Sequence, residues 1–130
     1  MQRDMDLVRN ILKVLEQGDG LTSAPQYVLD KVGELRVEHE RLTVLGHLHL
    51  MDDAGLITLQ WEENERWGSD PMELVAIRMR WQGYEFLAAA MNDTVWRKAQ
   101  EVAGGLFKSM AIPTLNMLLQ SIIKGELKLG

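Results

Sequence analysis

Thr43-Val44-Leu45-Gly46-His47-Leu48-His49-Leu50-Met51-Asp52-Asp53-Ala54-Gly55-Leu56-Ile57 holds the change of pattern that decides the fold. Val44, Leu48 and Met51 recur at helical spacing, which predicts a helix from residue 37 or 38 to 54. Gly55 stands where such a helix stops. The period then changes: residues 56–61 alternate, with Ile57, Leu59 and Trp61 on one face and Thr58 and Gln60 on the other. A second alternating run, residues 74–80, sets Val75, Ile77 and Met79 against Ala76, Arg78 and Arg80. The two runs are expected to pair as an antiparallel ribbon over one core. Between them residues 62–73, with Gly68, Ser69, Asp70 and Pro71, read as a loop.

Upstream, Leu7 or Val8, Ile11, Leu12, Val14 and Leu15 predict a first helix over residues 4–17, with Asp4 and Asp6 at its positive end and Gly18 ending it. Pro25 can open a short second element reaching Val32 before Gly33, and helix and strand both fit it. Downstream, residues 82–91 read as a helix with Phe86 and Leu87 inward. A restart capped by Asp93 follows, and then a last helix over residues 113–124 with Pro113 in the first helical position. The expected fold is mainly α with a small β-ribbon, a winged helix-turn-helix-like domain with additional C-terminal helices. Residues 1–130 form one domain, its core at 1–80 and the added helices at 81–130.

The composition agrees with a single core. With 130 residues, 46% of them hydrophobic, the chain needs no metal or disulfide staple. It has no cysteine, which excludes disulfides, thiolate catalysis and Cys-ligated metal sites. No apolar run is long enough for a membrane helix. The first residues, Met1-Gln2-Arg3-Asp4-Met5-Asp6, carry acid where a signal peptide has a basic region. We therefore expect a cytoplasmic protein with no membrane partner. The net charge of -5 is not that of a phosphate-binding surface.

The stretch 43–57 resembles the recognition helix of bacterial winged-helix regulators, which often read T-V-S-R-H-L-K-R-L-E-E-A-G-L-I. Three separated pieces resemble more specifically an uncharacterised, often phage-associated bacterial family, domain-of-unknown-function family 2513. They are Met1-Gln2-Arg3-Asp4-Met5-Asp6-Leu7-Val8-Arg9, the stretch 47–57, and Trp81-Gln82-Gly83-Tyr84-Glu85-Phe86-Leu87 followed by Asn92-Asp93-Thr94-Val95-Trp96. Their order and spacing match across nearly the whole chain. The resemblance implies a winged-helix-like fold and a phage or prophage setting, and almost nothing about function. Two residues depart from the family pattern. Arg80 stands where the family usually has Thr before Trp-x-Gly, so a cap on the following helix must come from elsewhere or be missing. Tyr84 stands where the family often has His, so no role of that His carries over.

The chemistry of the expected reading helix is poor for DNA. Where the regulator pattern has S, R, K and R this chain has Leu45, Gly46, His49 and Leu50, and Asp52 and Asp53 follow. The loop carries Glu62, Glu63, Glu65, Asp70 and Glu73 against Arg66 alone. Arg36, Arg41, Arg78 and Arg80 could still form a modest cationic patch, although Arg78 and Arg80 could instead pair with Glu62 or another acid across the ribbon. The competing reading is a protein contact: Leu45 and Leu50 lie off the core stripe, and Trp61 and Trp67 sit near the loop. A third is that the short second element and the C-terminal helices cover those leucines. The candidate interaction face is therefore Arg36, Arg41, Leu45, His49, Leu50, Trp67, Arg78 and Arg80, with a protein or duplex DNA as the partner.

No enzyme signature is legible. His39, His47 and His49 share a helix without the three- or four-residue step that places two ligands on one face, and His49 with Asp53 supplies only two ligands. A solvent-facing or capping role suits these histidines better. Gly18-Asp19-Gly20 is not a dinucleotide loop, and there is no Gly-Lys-Ser/Thr loop and no Gly-x-Ser-x-Gly elbow. We expect no catalytic residue, cofactor or metal. In the last helix Ile112, Leu115, Leu118, Leu119, Ile122 and Ile123 cover an arc wider than one buried stripe needs. That arc favours a homodimer, with Leu118, Leu119, Ile122 and Ile123 as its candidate face.

Overall fold

In the computed structural model, which describes residues 2–18, 24–35, 41–63 and 72–125, the side chain of Asp4 starts the first helix, α1 (Met5–Gln17). Its Oδ1 accepts from the backbone N–H groups of Asp6 at 3.0 Å and Leu7 at 3.3 Å, two donors that the helix itself leaves unpaired. Met5, Leu7, Val8, Ile11, Leu12, Val14 and Leu15 are all buried, so α1 is apolar around much of its girth and packs against several elements at once.

The second element is a helix, α2 (Pro25–Leu35). Pro25 suits its first position because the missing N–H would have had no helical partner. Gly33 lies inside α2 rather than ending it, two residues short of the last. Val28 is its fully buried residue among those described and faces α1.

α3 (Arg41–Asp53) turns Val44, Leu48 and Met51 into the core, as their spacing predicts. Residues 36–40, where the sequence places its start, lie outside the described residues. Its end is a Schellman motif: Gly55, at φ 79, donates to Asp52 O at 3.0 Å, and Leu56 donates to Met51 O at 3.0 Å.

Leu56 leads into β1 (Ile57–Glu63), which pairs antiparallel with β2 (Met72–Met79). Ile57 faces Met79 and Leu59 faces Ile77, and all four are buried. The strands run further than expected, because Glu62 pairs with Glu73 and Glu63 with Met72 where the sequence suggested loop. A register shift at Gln60/Trp61 leaves Val75 without a partner, and that residue is half-buried rather than a core residue. Trp61 keeps its place in the alternation but lies where the ribbon runs past the core, and it is 41% exposed.

α4 (Trp81–Ala90) follows β2 directly, and Arg80 N–H donates to Leu56 O at 2.9 Å. Gly83 sits against that same carbonyl, where a Cβ would collide with it. Phe86 and Leu87 point inward, as expected. α5 (Asp93–Ala103) is capped by Asn92 and not by Asp93: Asn92 Oδ1 accepts from Thr94 N at 3.1 Å and Val95 N at 3.2 Å. Asp93 instead forms an ion pair with Arg9 of α1 at 2.8 Å. The Arg9 guanidinium lies 5.0 Å from the Trp96 ring, which meets Phe107 edge-on at 4.9 Å, so α5 is clasped to α1.

A 3-10 turn over Gly104–Leu106 leads to α6 (Ile112–Ile123), in which Pro113 is the second residue rather than the first. Met5 N–H donates to Lys108 O at 3.0 Å, tying the connection before α6 to the start of α1. α6 packs on α4 and α5. Among the described residues the chain thus has six α-helices and one two-stranded ribbon, about one continuous core that runs from Met5 to Leu119. This mainly helical order is consistent with a winged-helix-like arrangement. Among the described residues no helix is long and apolar enough to cross a membrane.

Candidate interaction face on α3 and the ribbon

The outer side of α3 is set by its inner side. Val44, Leu48 and Met51 point into the core, so Leu42, Gly46, His49 and Asp53, one turn apart in succession, form the opposite line. Leu42 is 76% exposed. His49 is also exposed, and its ring stacks on Trp61 of β1 with centroids 5.7 Å apart and planes 20° from parallel. An apolar and aromatic strip therefore runs along α3 and onto the ribbon. Its rim is acidic: Asp53, Glu62, Glu63 and Glu73 are exposed, and the register sets Glu62 directly opposite Glu73.

The residues singled out from sequence do not all meet there. Leu45 and Leu50 are half-buried and pack on the core, covered by neighbouring elements, and the exposed apolar side chains of this region are Leu42 and Trp61 instead. Arg36 and Trp67 lie outside the described residues, as does the side chain of Arg41. Arg78 is exposed opposite Thr58, near the start of β1, and so stands about 10 Å along the ribbon from Trp61. Neither Arg78 nor Arg80 has an ion pair among the described residues, and the register separates Arg78 from Glu62. Leu42 could have been found from sequence, since Leu42, Gly46, His49 and Asp53 repeat at helical steps.

His47, on the inner side, is the buried polar residue of the described core. Its Nε2 accepts from Asp4 N–H at 2.8 Å, which places the ring proton on Nδ1, donating to Thr43 O at 2.8 Å. Nε2 thus ties α3 to the start of α1, while Nδ1 is held within α3 itself. Among the described residues no three His, Asp or Glu side chains gather as a metal site would require.

Beside Thr43 an open cleft of about 880 Å³ is lined by Gln2, Arg3, Asp4, Gly105, Lys108 and Ser109. A second, of about 400 Å³, lies between α4 and α6, lined by Glu85, Ala88, Ala89, Gln120 and Ile123. Of the α6 residues expected at a subunit contact, Leu119 is fully buried in its own chain, and Leu118 and Ile122 are half-buried against the core. The arc is wide because α6 is wedged between α4 and α5, so Leu119 cannot meet a second copy. Ile123 is 51% exposed.

These features define a mainly helical, ribbon-bearing domain with an apolar outer face on its third helix. The family model described as Hypothetical protein (DUF2513) matches residues 2–107, and the chain belongs to that family. It is 31% identical over 123 residues to an uncharacterized protein of Haemophilus influenzae, covering 95% of this chain and 96% of that protein. No solved structure matches the chain.

Proposed function

We propose that this is a non-enzymatic binding module whose contact surface for a protein is the outer line of α3 together with Trp61. The observation that carries the reading is the His49–Trp61 stack, with a 76% exposed Leu42 two turns away along the same side of α3. Arg41, the first residue of α3, is its one cation, and residues 42–53 contain no Lys or Arg, so the helix that would read DNA is poor in the groups that hold phosphates. The non-catalytic part of the proposal is supported by the sequence, which shows no nucleophile–base pair, phosphate loop or metal-ligand spacing. A phage- or prophage-related setting belongs to the proposal through the family resemblance alone, and a cytoplasmic one through the composition and the first residues of the sequence.

A pull-down from bacterial lysate with and without nuclease tests it. A protein captured in both conditions and lost with Trp61→Ala is the expected result. Capture abolished by nuclease would sink the reading.

Duplex DNA is the second reading. It is favoured by the cleft beside Thr43, where Arg3 and Lys108 have no ion pair among the described residues, and by exposed Arg78 and Arg80. Under this reading affinity falls steeply with salt, and replacing Arg41 or Arg78 lowers the salt slope by about one per lost phosphate contact. We further propose a homodimer, now resting on Ile123 and the groove between α4 and α6.

A further inference from the structure

We infer that the partner segment seated on the α3–ribbon face is a basic peptide stretch, carrying arginine or lysine beside an aliphatic or aromatic anchor. This rests on the protein-contact reading above and adds the partner's chemistry to it. The strip has two kinds of unmet demand. Leu42 and Trp61 expose apolar surface that a leucine-sized or aromatic anchor can cover. Among the described side chains the exposed charges next to them are acidic: Asp53 ends the same line of α3, and Glu62 and Glu63 follow Trp61 directly on β1.

The exposed carboxylates at this end of the ribbon, Glu62 and Glu63, favour a basic segment. An acidic or phosphate-bearing partner meets the opposite effect. Trp61 adds a reason to favour arginine: an indole attracts a guanidinium, and the neighbouring carboxylates of Glu62 and Glu63 are placed to accept its N–H groups. Arg78 and Arg80 do not neutralise this end, because Arg78 is paired in register with Thr58, three residues before Trp61.

The test is a selection from a display library of short random peptides on the intact protein, followed by titration of a synthetic copy of the most enriched peptide. Enriched peptides should be net positive with one or two aromatic or aliphatic residues. Affinity should fall with added salt, and should drop about tenfold or more for Trp61→Ala and for the double variant Glu62→Lys/Glu63→Lys. All variants are checked for an unchanged far-ultraviolet circular dichroism spectrum. Neutral or acidic peptides that bind through Trp61 and ignore the Glu62/Glu63 reversal would overturn this inference while leaving the protein-contact reading intact. Enriched peptides indifferent to Trp61→Ala, or no enrichment, would overturn both. Random-sequence duplex DNA bound at physiological salt and lost with Arg78→Ala/Arg80→Ala would favour the other class of partner and overturn both as well.

Discussion

At Gly83 the chain has no room for a side chain. A Cβ there would collide with the Leu56 carbonyl and come within 2.9 Å of Met79 Sδ, and the carbonyl cannot retreat because it accepts the Arg80 N–H. Gly83→Ala should therefore push α4 off the ribbon and destabilise the fold by about 1–3 kcal/mol, read as a lower urea midpoint. An unchanged midpoint would mean that the helix start shifts at no cost. His47 makes a complementary case, in which removing polarity rather than adding bulk does the damage. His47→Leu roughly keeps the volume but orphans the Asp4 N–H, which should lower stability by about 1–3 kcal/mol in the same assay. His47→Gln, able both to accept and to donate, should recover part of the loss. Neither role is legible locally: Gly83 meets the carbonyl of Leu56, the residue before β1, and His47 meets a backbone group 43 residues away.

Among the elements, those with one clear inner face were readable from their own period. α1, α3 and the inner residues of the ribbon lie where their apolar spacing places them, because burial on one side imposes that spacing on the sequence. The boundaries moved wherever the deciding partner came from elsewhere. The ribbon's far end pairs Glu62 with Glu73 and Glu63 with Met72, an extension that no turn signal announces. Asn92 and Asp93 are adjacent and both able to cap, and the ion pair with Arg9 leaves the cap to Asn92. The departure at Arg80 was legible as a missing cap, and it is one: Arg80 has the extended backbone of a capping residue, at φ -95 and ψ 168, with no side-chain hydrogen bond to α4. Arg80→Thr should supply that bond and stabilise the protein by about 0.5–1 kcal/mol, seen as a raised melting temperature. A neutral or lower value would show that the guanidinium already serves the helix start in another way.

Across the whole molecule, the leucine that α3 leaves exposed is not one of the two that its off-stripe pattern singles out. Off-stripe Leu45 and Leu50 are half-covered by neighbouring elements, whereas Leu42 is left in solvent, and coverage of that kind depends on tertiary packing. The same distinction governs assembly. Because α6 lies between α4 and α5, Leu119→Asp should unfold the chain rather than separate two copies, since it places a carboxylate where side-chain exposure is 0%. Ile123→Asp changes a residue that is 51% exposed at the edge of the α4–α6 groove, so the fold should survive it. If two copies pair through that groove, light scattering should give twice 14.8 kDa for the natural chain and 14.8 kDa for Ile123→Asp, with unaltered circular dichroism. A natural chain already at 14.8 kDa would remove the dimer from the proposal, leaving packing on α4 and α5 to account for Leu115 and Leu119, and Ile123 as a singly exposed apolar residue.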